Sequence, residues 1–177
     1  MDNNIKKFSI SALFIAIAYA VSFVKIIRMP LGGSVTLMSM LAISLPAYFF
    51  GKRYGFMASV IYAILQIIQG GTIISIPQVM LDYVLAFSCF GIVAFYSNKK
   101  NGLQIGFFIA CTIRLICSTL SGYIFFADYA PKAWNPVLYS FVYNACYIYG
   151  ECIISIIIIS IPQVKNLIKK YKSIETN

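Results

Sequence analysis

The chain has 177 residues, of which 60% are hydrophobic and 11% charged, with a net charge of +9 and a mean hydropathy of +0.84. Soluble domains carry about a quarter charged residues, so these values exclude a soluble globular or disordered protein and argue against a disulfide-rich secreted scaffold. A transmembrane helix takes about 20 apolar residues. Six would use roughly 120 positions and leave only loops and short tails. The expectation is an all-α polytopic membrane protein, one six-helix transmembrane bundle over residues 1–177.

Charged residues punctuate the spans. After Lys6 and Lys7 a charge-free run extends from Phe8 to Val24, closed by Lys25 and Arg28. Lysines flank this run as in a signal peptide, but no small-residue cleavage site follows, so an uncleaved first helix is expected. Pro30 to Ser34 reads as a loop or broken segment. A second span runs to about Phe50 and stops at Gly51-Lys52-Arg53. Residues 54–81 carry no charge, and Gly70-Gly71 and Pro77 divide them into a third span, about 55–69, and the start of a fourth. The fourth continues to the polar turn Ser97 to Gly102. A fifth covers about 103–126, and a sixth about 137–161, followed by a basic tail with Lys165, Lys169, Lys170 and Lys172.

Six spans place both termini on one side, and the lysines and arginines vote for the cytoplasm. With that orientation ten cations lie inside and Lys25, Arg28 and Lys132 outside, while Arg114 is intramembrane. The positive charge is then a topology signal with attraction to membrane lipid, not to nucleic acid.

The chain has no histidine, which removes Ser-His-Asp triads and histidine-based metal sites. Its five cysteines, Cys89, Cys111, Cys117, Cys146 and Cys152, form no CxxC pair and read as small hydrophobes. No metal and no cofactor is expected.

Ionisable groups inside a span are expensive and mark candidate sites. Three occur: Asp82, Arg114 and Glu151. At 1.5 Å per residue, Asp82 lies roughly 7 Å below the outer end of its span, and Arg114 and Glu151 lie roughly 16 and 15 Å from the inner ends of theirs. The matching depths predict a buried Arg114–Glu151 ion pair. Asp82 is left as a shallow carboxylate suited to a cationic solute, or else capped or paired with Lys132 or Arg28. Tyr83 adjoins it. Tyr139, Tyr143 and Tyr147 recur every four residues with Asn144 beside them, and Arg114, Ser118 and Gly122 form a second stripe with Phe126 above. Aromatic faces around a carboxylate suit an organic cation. On the first span Ala12, Ala16 and Ala20 make a small-residue stripe where another helix can approach.

Gly32-Gly33-Ser34-Val35-Thr36-Leu37, Leu81-Asp82-Tyr83, Ser121 to Phe126 with Tyr129-Ala130-Pro131, and Tyr139-Ser140, Tyr143-Asn144-Ala145 and Glu151 occur in an order and spacing that resemble the thiamine-specific substrate-binding (S) components of energy-coupling-factor vitamin transporters. The resemblance implies a six-helix protein of the bacterial cell membrane without ATPase activity. It would bind thiamine near the outer face and topple in the bilayer during transport, working with a membrane coupling subunit and two cytoplasmic ATPases. It assigns Asp82 to the cationic part of the vitamin, with Tyr83, Arg114, Ser118, Gly122, Phe126, Tyr139, Tyr143 and Asn144 as other pocket positions. Arg114 is then both a candidate ion-pair partner and a pocket residue. Ala12 and Ala16 match the alanine motif that meets the coupling subunit. Two departures stand out. Ser118 replaces a histidine typical of the family, and the acid and tryptophan some members carry near Gly33 to Met38 are absent. These point to lower affinity, or to a related pyrimidine or thiazole compound; the alternative reading is an S component of the same fold for such a precursor or for another B vitamin. Other readings are an intramembrane enzyme using Asp82 and Glu151, whose unequal depths disfavour a shared proton, and an assembly subunit whose polar stripes pair with one another.

Overall fold

The computed structural model describes residues 3–176. Helix α1 (Asn3–Ser22) leads into a β-hairpin of β1 (Lys25–Arg28) and β2 (Ser34–Thr36), antiparallel with Arg28 opposite Ser34 and an irregularity between Lys25 and Ile27. Helices α2 (Ser39–Phe50) and α3 (Lys52–Ile68) follow, then α4 (Ile76–Tyr96), α5 (Gly102–Phe125), α6 (Pro136–Ser160) and α7 (Pro162–Thr176).

The six expected spans are present as helices of unequal length, and the count needs correcting. Among the described residues, only α1, α4, α5 and α6 are long and apolar enough to cross a membrane alone. The expected second span is a 12-residue helix, about 18 Å long, because residues 25–36 fold back as a hairpin instead of entering a helix. Gly51 makes the α2–α3 turn with φ +87°, a backbone that only glycine adopts without strain. The expected loop at Pro30–Ser34 is the hairpin's turn. The expected basic tail is a helix.

Local chemistry sets the helix starts. Asn135 caps α6 by accepting from Val137 N at 2.8 Å, with Pro136 in the first turn. Ser75 accepts from Gln78 N at the start of α4, beside Pro77. Past that cap α4 widens to a π-helical turn at Met80–Leu85 and tightens to a 3₁₀ run at Cys89–Tyr96. Such π turns reset which side chains face inward; this one carries Asp82 and Tyr83.

The bundle packs α5 against α6 and α4, α3 against α4, and α1 across α2 and α3. Its centre is a chain of rings running Tyr62–Phe87–Phe90–Phe107, at centroid spacings of 5.2, 6.5 and 5.9 Å, beside the fully buried Met40, Ile43, Leu103 and Ile148. Cys89, Cys111 and Cys152 are buried as small apolar groups, whereas Cys146 is exposed; all five cysteines are free.

Glu151 ties the hairpin and α2 to α6. Its Oε2 accepts from Thr36 N at 3.0 Å and Thr36 Oγ1 at 2.5 Å, and its Oε1 accepts from Met40 N at 2.8 Å and Ser39 Oγ at 3.4 Å. Helix α2 is preceded by Met38, a left-handed residue whose side chain supplies no cap. The carboxylate of Glu151 therefore serves as the cap, meeting the unpaired N–H groups and positive end of α2. The expected Arg114–Glu151 ion pair is absent. Equal depth on neighbouring helices does not give equal azimuth, and backbone N–H groups hold the acid instead.

Glu151→Ala orphans two buried N–H groups at about 1–3 kcal/mol each, and lowers the melting midpoint of the purified protein by on the order of 5–10 °C. A midpoint within about 1 °C of wild type contradicts this role.

Candidate functional site

A cavity of about 230 Å³ lies in the half of the bundle formed by the C-terminal ends of α1, α3 and α5, the N-terminal ends of α4 and α6, and the hairpin. All nine residues expected at the site line it: Asp82, Tyr83, Arg114, Ser118, Gly122, Phe126, Tyr139, Tyr143 and Asn144.

Asp82 is held by its neighbours on one oxygen only. Oδ2 accepts from Gln78 Nε2 and from Ser121 Oγ, both at 2.7 Å, and no side chain among the described residues donates to Oδ1. Gln78 is 1% exposed and is itself fixed, its Oε1 accepting from Ile74 N at 3.1 Å. The i, i+4 spacing of Gln78 and Asp82 puts the amide directly on the acid. Neither Lys132 nor Arg28 pairs with Asp82, and Asp82 and Glu151 share no hydrogen bond.

Arg114 carries its charge into the cavity wall and makes no ion pair among the described residues, although Asp82 and Glu151 line the same hollow. Its guanidinium lies 4.1 Å from the centre of the Phe87 ring, and its Nε is buried without a partner. The cation–π contact offsets part of the desolvation, but among the described residues Nε has no acceptor.

The aromatic wall is built by α6. Tyr139 and Tyr143 stack with centroids 6.2 Å apart, Tyr143 meets Tyr147 edge-on at 5.9 Å, and Trp134 meets Tyr139 edge-on at 6.5 Å. The hydroxyl of Tyr143 accepts from Gly33 N at 2.9 Å and donates to the Pro30 carbonyl, so one ring latches the hairpin over the cavity. Tyr147 donates to Asn144 Oδ1 at 2.6 Å, and Asn144 Nδ2 donates to the Ser140 carbonyl at 2.8 Å. At Gly122 a Cβ would overlap Ser140 Oγ, so glycine is what allows α5 and α6 to approach here.

Residues outside the expected set complete the lining. Gln66 Nε2 donates to Gln69 Oε1 at 2.9 Å and to Ser22 Oγ at 3.2 Å, joining α3 to the end of α1. Lys25, Gln78 and Glu151 also line the hollow. The three glutamines stand in the charge-free stretch, and their presence in so apolar a run was the available signal. The alanines belong elsewhere. Ala12, Ala16 and Ala20 are exposed on the outside of α1, opposite the buried Ser11, Ile15, Ala18 and Ser22.

A family model described as "Thiamine transporter protein (Thia_YuaJ)" matches residues 9–171. The chain belongs to the thiamine transporter protein family. It is similar to the thiamine transporter ThiT of Bacillus subtilis (strain 168), 31% identical over 147 residues that cover 75% of this chain and 76% of that one. Its fold resembles the solved ThiT from Listeria monocytogenes, with a TM-score of 0.80 and 23% identity, covering 96% of this chain and 99% of the other. Membership of a transporter family answers the enzyme reading, and with the long apolar helices it makes this a multi-pass membrane protein.

Tyr143→Phe removes the latch. Amide exchange in the hairpin over residues 25–36 rises roughly five- to tenfold, the loss of about 1 kcal/mol of hydrogen bonding, as read by deuterium exchange and mass spectrometry on the solubilised protein. Unchanged exchange contradicts the latch.

Proposed function

We propose that the cavity binds thiamine and that the protein is the substrate-binding component of an energy-coupling-factor transporter. The observation that carries this reading is the half-satisfied carboxylate of Asp82 in an aromatic-walled hollow. Thiamine carries a permanent positive charge on one of two aromatic rings. The open Oδ1 of Asp82 offers that charge its counter-ion in a poorly screened site, and Tyr83, Phe126, Tyr139 and Tyr143 offer ring faces. The Arg114 guanidinium, whose Nε has no acceptor among the described residues, suits the ring nitrogens of a pyrimidine. Ser118 and Asn144 add polar edges on α5 and α6. A related pyrimidine or thiazole compound, which serine rather than histidine at 118 favours, or another B vitamin is the alternative ligand.

The proposed partners follow from the alanine stripe. A small-residue face turned away from its own bundle lets a foreign helix pack closely in lipid, and Ala12, Ala16 and Ala20 form such a face on α1. The occupant in this reading is the membrane coupling subunit, which links the protein to two cytoplasmic ATPases. The site is the cell membrane, with both termini cytoplasmic. Lys52, Arg53, Lys99, Lys100 and the lysines of α7 then lie inside, and the cavity opens outward.

Asp82→Asn keeps the Asp82 contacts with Gln78 and Ser121 largely in place but removes the counter-charge. Thiamine affinity, measured by isothermal titration, falls by roughly 10- to 100-fold, with the melting midpoint of the unliganded protein retained. Equal affinity in the two proteins rejects the mechanism. Tighter binding of a pyrimidine or thiazole precursor than of thiamine by the wild type would select the alternative ligand.

A further inference from the structure

Four cations at the end of the bundle away from the cavity sit against aromatic rings. Lys52 Nζ is 4.5 Å from the centre of Phe95, Arg53 Cζ 5.8 Å from Phe8, Lys99 Nζ 4.9 Å from Tyr96 and Lys172 Nζ 4.4 Å from Tyr48. Cations on aromatic stems, both half apolar, are what a membrane–water boundary accommodates. Helix α7 lies across this end. Lys165 Nζ donates to Asn101 Oδ1 at 2.8 Å, Lys172 Nζ donates to the Ser97 carbonyl, and the Tyr171 ring meets Phe49 at 4.8 Å. These contacts fix how the helix is rolled. Val164, Ile168 and Tyr171 turn toward the bundle, while Lys169 and Lys170 are exposed. Leu167 and Ile174, 66% and 59% exposed, form an uncovered apolar edge beside Lys170. Among the described residues no acid pairs with Lys169 or Lys170.

We infer that α7 is an interfacial helix that binds anionic phospholipid, with Lys169 and Lys170 on headgroup phosphates and Leu167 and Ile174 at the top of the acyl region. A basic helix with an apolar edge is held at a bilayer by both terms together, and each lysine near an anionic surface adds to the attraction. The loop of residues 97–101 is pinned to α7, so lipid bound there also braces the α4–α5 turn. This assignment stands on the opposite end of the molecule from the cavity and does not depend on the ligand.

The test uses the full chain in nanodiscs of mixed phosphatidylcholine and phosphatidylglycerol, with native mass spectrometry counting the lipids retained. Wild type is enriched in phosphatidylglycerol, and K169Q/K170Q lowers that enrichment by about tenfold, whereas K169R/K170R keeps it. Undiminished enrichment in K169Q/K170Q overturns the inference. Loss in the arginine pair also overturns it, since that would mark a shape-specific protein contact. If K169Q/K170Q fails to fold, salt decides on the wild type: enrichment that falls with ionic strength supports headgroup pairing, and salt-independent enrichment contradicts it.

Discussion

Two carboxylates line the same hollow in a low-dielectric protein, and their different satisfaction organises everything around them. Glu151 receives four donors, two of them backbone N–H groups at and before the start of α2. Its charge is spent on structure, holding the hairpin and a short helix against α6. Asp82 receives two donors on one oxygen and leaves the other to the cavity. A buried charge that its own protein only half satisfies is destabilising unless something else completes it. In the reading proposed here, the completing group is the cargo.

The rest of the site supports that division of labour. Gln78 is buried and tied to the loop before α4, so Asp82 is held in place by the fold itself, which in the proposed reading reduces the ordering cost of binding. Arg114 rests on Phe87, so the hollow that holds Asp82 also carries a guanidinium in its wall. The tyrosines of α6 act twice, as a ring wall and, through Tyr143, as the latch on the hairpin. The cavity wall and the hairpin latch thus share one helix face, and Glu151, two turns beyond Tyr143, anchors the strand that Tyr143 latches.

Much of this was legible in the sequence because the bilayer makes charge conspicuous. Lysines and arginines marked the ends of the spans, and Asp82, Arg114 and Glu151 stood out as the intramembrane ions. The four-residue spacing of Tyr139, Tyr143 and Tyr147 placed them on one face correctly. What escaped was whatever depends on backbone donors or on azimuth. Glu151 was expected to meet Arg114 because their depths agree, but its partners are N–H groups of residues 36 and 40, which no side-chain pattern announces. The hairpin hid for a similar reason: Ile26 and Ile27 are two apolar residues between Lys25 and Arg28, and only backbone pairing with residues 34–36 makes them a strand. Gln66, Gln69 and Gln78 carry no charge to mark them, although glutamine in so apolar a stretch also requires partners. The π-helical turn at Asp82 leaves no trace in composition, and the basic tail's helical period was obscured by its lysines.

The central claim is that the unsatisfied carboxylate recognises a positive charge. Its most direct test varies the ligand and leaves the protein intact. Thiamine and its uncharged isostere, in which carbon replaces the positively charged ring nitrogen, are titrated into the wild-type protein under identical conditions. The account predicts that thiamine binds at least about tenfold more tightly, the worth of a charge-assisted contact in a poorly screened site. Equal affinity for the charged and uncharged molecules would contradict it.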